Sequence, residues 1–197
     1  MLRSVAALLV VLPVLVAGCR TVPQRPTPQN QPWEARRTQL QGEDHFQLKG
    51  RVAVATGNEG FNARLRWSQS GAQTHMSLDG PLGAGGVQVS ADGNALSIVT
   101  SRGERLDSDA ARAELANRLG FDPPLESLRY WILGVPRPGE PAGETLDDQA
   151  RLVHLQQEGW DIDYPSYMPV EGGWRPSRLT LQRANIRLKV IVEDWNS

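Results

Sequence analysis

The stretch Phe46-Gln-Leu-Lys-Gly-Arg-Val-Ala-Val54 decides how the rest of the chain reads. Phe46, Leu48, Gly50, Val52 and Val54 fall on one side of an extended backbone, with Gln47, Lys49 and Arg51 on the other. A period of two with one apolar side marks a strand buried on one face. The turn "TGNEG" follows, and Phe61, Ala63, Leu65 and Trp67 then alternate with Asn62, Arg64, Arg66 and Ser68. Met76 and Leu78 continue the alternation, Val87 and Val89 resume it, "ADGN" turns, and Leu96 and Ile98 come next. A short strand around Glu104 to Leu106 ends the run. Such segments, joined by short turns, predict antiparallel strands with one buried face.

Beyond that point the period changes. "SDAARAELANRLG" opens on a Ser or Asp cap and stops at Gly120, which predicts a helix. "DPPLESLRYWILG" places proline at the start of a second helix ending at Gly134, with Leu125, Leu128, Trp131 and Ile132 on one stripe. The proline- and glycine-rich "VPRPGEPAGE" reads as a connection. Strands return at about 150–157, 159–164, 178–181 and 186–194. In the last, Ile186, Leu188, Val190 and Val192 alternate with Arg187, Lys189 and Ile191.

The order is meander, two helices, meander. The fold class is therefore mainly β with some α, and a doubly wound nucleotide fold is not expected. A curved antiparallel sheet of roughly ten strands tends to close or half-close into a barrel, with helices over the open end. Its interior either fills with side chains or leaves an apolar cavity. Alternation alone shows only that one face is apolar, and most barrels of this size are filled, which favours the filled interior.

The chain of 197 residues opens on "MLRSVAALLVVLPVLVAGC". Arg3, the apolar run Val5 to Val16 and the small pair Ala17-Gly18 read as an export signal over 1–18, outside the fold. "LVAGC" matches the bacterial lipobox, which makes Cys19 the lipidated first residue of the mature protein. The plainer alternative is a signal peptide with an incidental cysteine. Against it, Cys19 is the only cysteine of an exported chain and cannot form an internal disulfide. Several acyl chains, at ~0.8 kcal/mol per buried CH₂, give a lasting anchor. Many Gram-negative lipoproteins kept in the inner membrane carry Asp after this cysteine. Arg20 stands there instead, so we expect the periplasmic face of the outer membrane.

Prolines 23, 26, 28 and 32 make residues 19–33 an extended tether with the lipidated cysteine at its head. Residues 34–197 form a single domain, beginning with a short polar, helical piece near Trp33 to Gln41. Lys+Arg 21 against Asp+Glu 22 gives a net charge of -1, which argues against a nucleic-acid binder. A hydrophobic fraction of 40% is enough for a core.

No catalytic constellation stands out. His45, His75 and His154 lack metal-ligand spacing, and Asp161 and Asp163 share a strand face in a pattern common on solvated surfaces. The glycines of "DGPLGAGG", residues 79–86, precede a strand with no Gly-Lys-Ser/Thr, so a phosphate loop is not expected. We therefore expect no enzyme, metal or cofactor, and a monomer. The odd feature of that loop is Leu82, held between Pro81 and Gly83. Either it folds back onto its own sheet, which chemistry alone slightly favours, or it projects into something apolar such as lipid, burial being worth ~1.5–3 kcal/mol.

The lipobox, "LKGRVAV", the pair "RLRWSQ" and "HMSLDGPLG", "SLRYWILGVP" and "LDDQARL" occur in order from about Phe46 to Trp195. Together they resemble the LolB family of outer-membrane lipoprotein receptors. The resemblance implies a half-open antiparallel barrel with a helical lid over a hydrophobic cavity, against the filled interior favoured above. It implies partners: the soluble periplasmic carrier LolA, acylated lipoproteins as cargo and outer-membrane lipid. It also places Pro81, Leu82 and Gly83 in a membrane-insertion loop, although Gly85-Gly86 after the tip extend the pattern. Acyl chains would then meet Val52, Val54, Leu65, Trp67 and Leu78, together with Val89 and Ile98, and Trp131 and Ile132 on the lid. A lipid-binding module of another pathway, or a structural envelope lipoprotein, remains the alternative.

Overall fold

The structure, a computed structural model, describes residues 32–80, 85–93 and 95–196. The export signal, Cys19, the tether before Pro32 and the tip residues Pro81, Leu82 and Gly83 lie outside the described residues. Helix α1 (Trp33–Gln41) comes first, where the polar helical piece was expected. Six strands follow: β1 (His45–Thr56), β2 (Glu59–Ser70), β3 (Gln73–Asp79), β4 (Val87–Asp92), β5 (Ala95–Thr100) and β6 (Arg105–Asp107). Helices α2 (Ser108–Leu119) and α3 (Leu125–Trp131) lead to β7 (Ala142–Leu146) and β8 (Leu152–Gln157). The chain finishes with β9 (Trp160–Val170), β10 (Gly173–Arg183) and β11 (Ile186–Asn196).

All these strands join one antiparallel sheet in the order β6-β5-β4-β3-β2-β1-β11-β10-β9-β8-β7. The first and last strands lie at its centre, paired from Gln47 opposite Asn196 to Thr56 opposite Ile186. Gly50 sits at a bulge in this pairing, and a Cβ there would stand 2.1 Å from the Ile191 carbonyl oxygen, so only glycine lets the two strands meet. β6 and β7 are the unpaired edges, which leaves the sheet open. Those edges are joined through α2 and α3, so the helical segment has to pass from one side of the sheet to the other. This route makes the helices a cover. β1 pairs with β11, and among the described residues both apolar clusters are built from the elements between α1 and β11 and the segments that join them.

The second meander has a strand more than its sequence pattern predicts, and longer ones. β7 falls in the stretch that reads as a connection; as an edge strand it is largely exposed, so no alternation marks it. β9 and β10 contain Pro165, Pro169 and Pro176, which lack N–H donors and mimic breaks in a strand. The ladder tolerates Pro176 through a register shift between Pro176 and Arg178.

Two apolar clusters fill the concave side. The larger includes Leu40 of α1 with Phe46, Leu48, Trp131 and Trp160, and the smaller joins Val87, Leu96 and Ile98 to Ala111 and Leu115. Ala111 and Leu115, one turn apart, are the buried stripe of α2, whose C-terminus is closed by left-handed Gly120 at φ 77°.

Candidate functional site

Between the concave sheet face and the α2–α3 segment lies a cavity of about 80 Å³. Alternate residues of central strands supply its floor: Val52 and Val54 from β1, Leu65 and Trp67 from β2, and Leu188 and Val190 from β11. The cover contributes Leu115 and Leu119 of α2, Phe121 of the connection, and Leu128 and Trp131 of α3. No lining side chain carries a charge.

Even the two indoles turn their polar ends away. Trp67 Nε1 donates to Gln69 Oε1 at 3.3 Å, an oxygen that also accepts from the Thr74 hydroxyl at 2.7 Å. Trp131 Nε1 donates to Gln157 Oε1 at 2.8 Å. A water needs two to four polar partners, so a hollow with this lining favours apolar matter over water. Its volume matches on the order of five waters at roughly 15 Å³ of reachable space each. The interior is neither solid nor wide.

Of the residues expected to line a cavity, Val52, Val54, Leu65, Trp67, Leu78, Val89, Trp131 and Ile132 do so. Ile98 does not. It lies opposite Val89 and Leu106 and is fully buried in the smaller cluster, beneath Ala111 and Leu115 of α2. Alternation assigns the face of a strand but not which part of that face a helix seals. Sequence reasoning missed Met76, Leu115, Phe121, Leu179 and Leu181 as lining residues. Their signal was present as period-two and helical spacing, but that signal is the same for a packed core.

A second, polar assembly holds α1 in place. Arg175, nearly fully buried, meets Glu43 at 2.9 Å, and Arg36 donates to the Trp174 carbonyl at 2.8 Å. Burial lowers the pKa of both guanidiniums, with Glu43 opposing the shift at Arg175. Tyr167 donates to the Leu152 carbonyl at 2.6 Å, and burial pushes its phenol pKa well up. Trp33 Nε1 donates to Glu144 Oε2 at 2.6 Å and Gln41 to the Pro136 carbonyl at 2.9 Å. Helix α1 is thus fastened to the second meander and to the segment that leads into it.

The histidines are not drawn together. His154 contacts Asp163 at 2.8 Å across β8 and β9, and neither residue lines the cavity. Among the described residues no group of three or more His, Cys, Asp or Glu is placed to hold a metal ion. No helix of the described residues is long and apolar enough to cross a membrane.

Residues 44–195 match the family described as Outer membrane lipoprotein LolB. The chain belongs to the LolB family. It is 33% identical over 186 residues to the Outer-membrane lipoprotein LolB of Nitrosococcus oceani, covering 92% of each chain. With the LolB of Pseudomonas paraeruginosa it shares 30% identity over 165 residues, covering 84% of this chain and 80% of that one. The fold is similar to a LolA superfamily protein of Nitrosomonas europaea, with a TM-score of 0.54 at 11% identity over 84% of this chain and 93% of that one. At that identity the likeness concerns the fold alone. In this LolB-family member the matched segment contains every strand and both covering helices.

Proposed function

We propose that this LolB-family chain is an outer-membrane lipoprotein receptor. It accepts acylated lipoproteins from the soluble periplasmic carrier LolA and releases them into the outer membrane. The observation that carries this reading is the charge-free cavity between a sheet floor and a two-helix cover. Apolar walls shield acyl chains, each CH₂ of which would cost ~0.8 kcal/mol in water. Transfer without nucleotide energy then runs downhill, from carrier cavity to receptor cavity to bilayer. Residues 1–18 serve as the export signal, and Cys19, on its tether of residues 19–33, is the lipid anchor on the periplasmic face. Pro81, Leu82 and Gly83 form the tip that enters lipid, and the cavity-lining residues named above receive the acyl chains.

We infer that loading widens this narrow cavity by moving the helices off the sheet. Their attachments differ in a way that suits this. α3 is tied by buried hydrogen bonds at Trp131, whereas α2 meets the sheet through apolar contacts at Ala111 and Leu115 and one longer hydrogen bond, from the Thr56 hydroxyl to the Leu119 carbonyl at 3.3 Å. The test is to mix the unlipidated domain with carrier-bound lipoprotein and follow the cargo. The reading requires cargo to move to the domain, and acylated but not deacylated lipoprotein to displace a fluorescent apolar probe from its cavity. Displacement by both forms alike, or cargo that stays on the carrier, refutes it.

A further inference from the structure

The convex side of the sheet carries a feature that cargo handling inside the cavity does not use. Arg51, Arg64, Arg66 and Lys189 line an open groove of about 680 Å³ across β11, β1 and β2, with Asp79 the one acid of its lining among the described residues. These side chains alternate with Val52, Leu65 and Val190, which face the cavity, so cations and acyl-chain floor lie on opposite sides of one sheet. The pairing sets like charges against each other: Arg51 lies directly opposite Arg64, and Lys49 directly opposite Arg66. Like charges in such pairs destabilise a sheet.

Partial relief comes from the rim. Arg51 pairs with Glu193 at 2.6 Å, and Arg66 with Asp79 at 2.8 Å. Arg64 and Lys189 are exposed and, among the described residues, have no carboxylate at ion-pair distance. A chain of net charge -1 has therefore gathered positive charge on this face against a local cost. The groove also reaches Asp79 and Gly80, immediately before the Pro81–Gly83 tip.

We propose that this convex basic groove of Arg51, Arg64, Arg66 and Lys189 seats the protein on anionic lipid headgroups. The membrane location rests on the receptor reading above. An acidic protein fits the charge but not the place. A carrier docked here would present cargo to the side of the sheet away from the cavity. A bilayer needs no alignment with the cavity, only an open basic surface such as this groove offers. Seating on headgroups holds the domain against the leaflet, which an anchor at Cys19 alone does not do.

The test uses the unlipidated domain, so that the anchor cannot mask the interaction. Sedimentation with vesicles of phosphatidylcholine alone is compared with an equal mixture of phosphatidylcholine and phosphatidylglycerol. The parent should bind the anionic vesicles preferentially and lose that binding as salt is raised. The double variant Arg64→Gln/Lys189→Gln should bind them roughly 30-fold more weakly. Because both residues are exposed and Arg64 faces the like charge of Arg51, the variant should match or slightly exceed the parent's thermal midpoint and keep its uptake of an apolar probe. Equal binding to both vesicle types, or a double variant that binds like the parent, overturns the proposal. So does a double variant that loses handover from the carrier in vesicle-free solution, since the groove then docks a protein. Failure of the parent itself to take cargo in solution would strike the receptor reading, separately from the vesicle result.

Discussion

The Trp131 indole donates to Gln157 while the Trp131 backbone carbonyl accepts from the Tyr164 hydroxyl at 2.9 Å. The last residue of α3 is thereby held at both its side chain and its backbone. Gln157 completes the attachment: the same oxygen accepts the Arg137 N–H at 2.8 Å, and its amide donates to the Arg137 carbonyl at 2.9 Å. Replacing Gln157 with Leu leaves several buried groups unpaired at once. We expect a loss of about 2–4 kcal/mol in the denaturant midpoint analysis, at an unchanged slope. Tyr164→Phe removes one of two hydrogen bonds to the Trp131 carbonyl, which still accepts the Gly134 N–H at 3.0 Å, and should lose only about 1 kcal/mol.

The two apolar clusters should respond differently to added volume. Val190 borders the cavity, so Val190→Phe has open space to enter and should change stability by less than about 1 kcal/mol. The new ring occupies room that cargo needs, and probe affinity should fall roughly tenfold. Ile98 is fully buried under α2, away from that space. Ile98→Phe should cost about 1–3 kcal/mol through overpacking. Paired melting and probe titration on both variants would read this contrast, and equal behaviour would contradict the division of the concave face.

Leu82→Glu separates acceptance from release. A carboxylate at the tip resists entry into hydrocarbon, while the cavity lining is untouched. Cargo should pass from carrier to receptor at the parental rate, and incorporation into vesicles should slow by tenfold or more, in line with losing ~1.5–3 kcal/mol of leucine burial. Parental incorporation would remove the membrane role of the tip.

Asp147 links stability to acid. Partial burial pushes its pKa up, but hydrogen bonds from the Arg151 side chain and from the backbone N–H groups of Arg151 and Gln149 outweigh this and lower it. A carboxyl with a lowered native pKa stabilises the fold above its unfolded value of about 3.9 and loses that contribution as pH falls through the native value. Asp147→Asn should be less stable than the parent near neutral pH, with the gap closing in the acid range. Melting temperatures from neutral pH down to about pH 3 would show it, and a gap that stays constant would refute the linkage.

Much of the fold was legible because a buried face leaves a period in the chain. Phe46 to Val54 and Ile186 to Val192 alternate without interruption since they lie at the centre of the sheet, flanked by strands on both sides. β7 was illegible because an exposed edge strand has no apolar face to display. The prolines of β9 and β10 hid strand behind residues that usually end it.

The sequence by itself determined the one-sided strands, the two intervening helices and the oily face they share. Spacing is a local property, and local spacing is enough for that. Only the tertiary structure decided that β1 pairs with β11, which puts β6 and β7 at opposite edges and forces α2 and α3 to span the gap. From that route follow both the hollow around Trp131 and the sealing of Ile98 beneath α2. A core residue and a cavity residue look the same along the chain. What distinguishes them is whether another element reaches them, and that depends on partners far away in sequence.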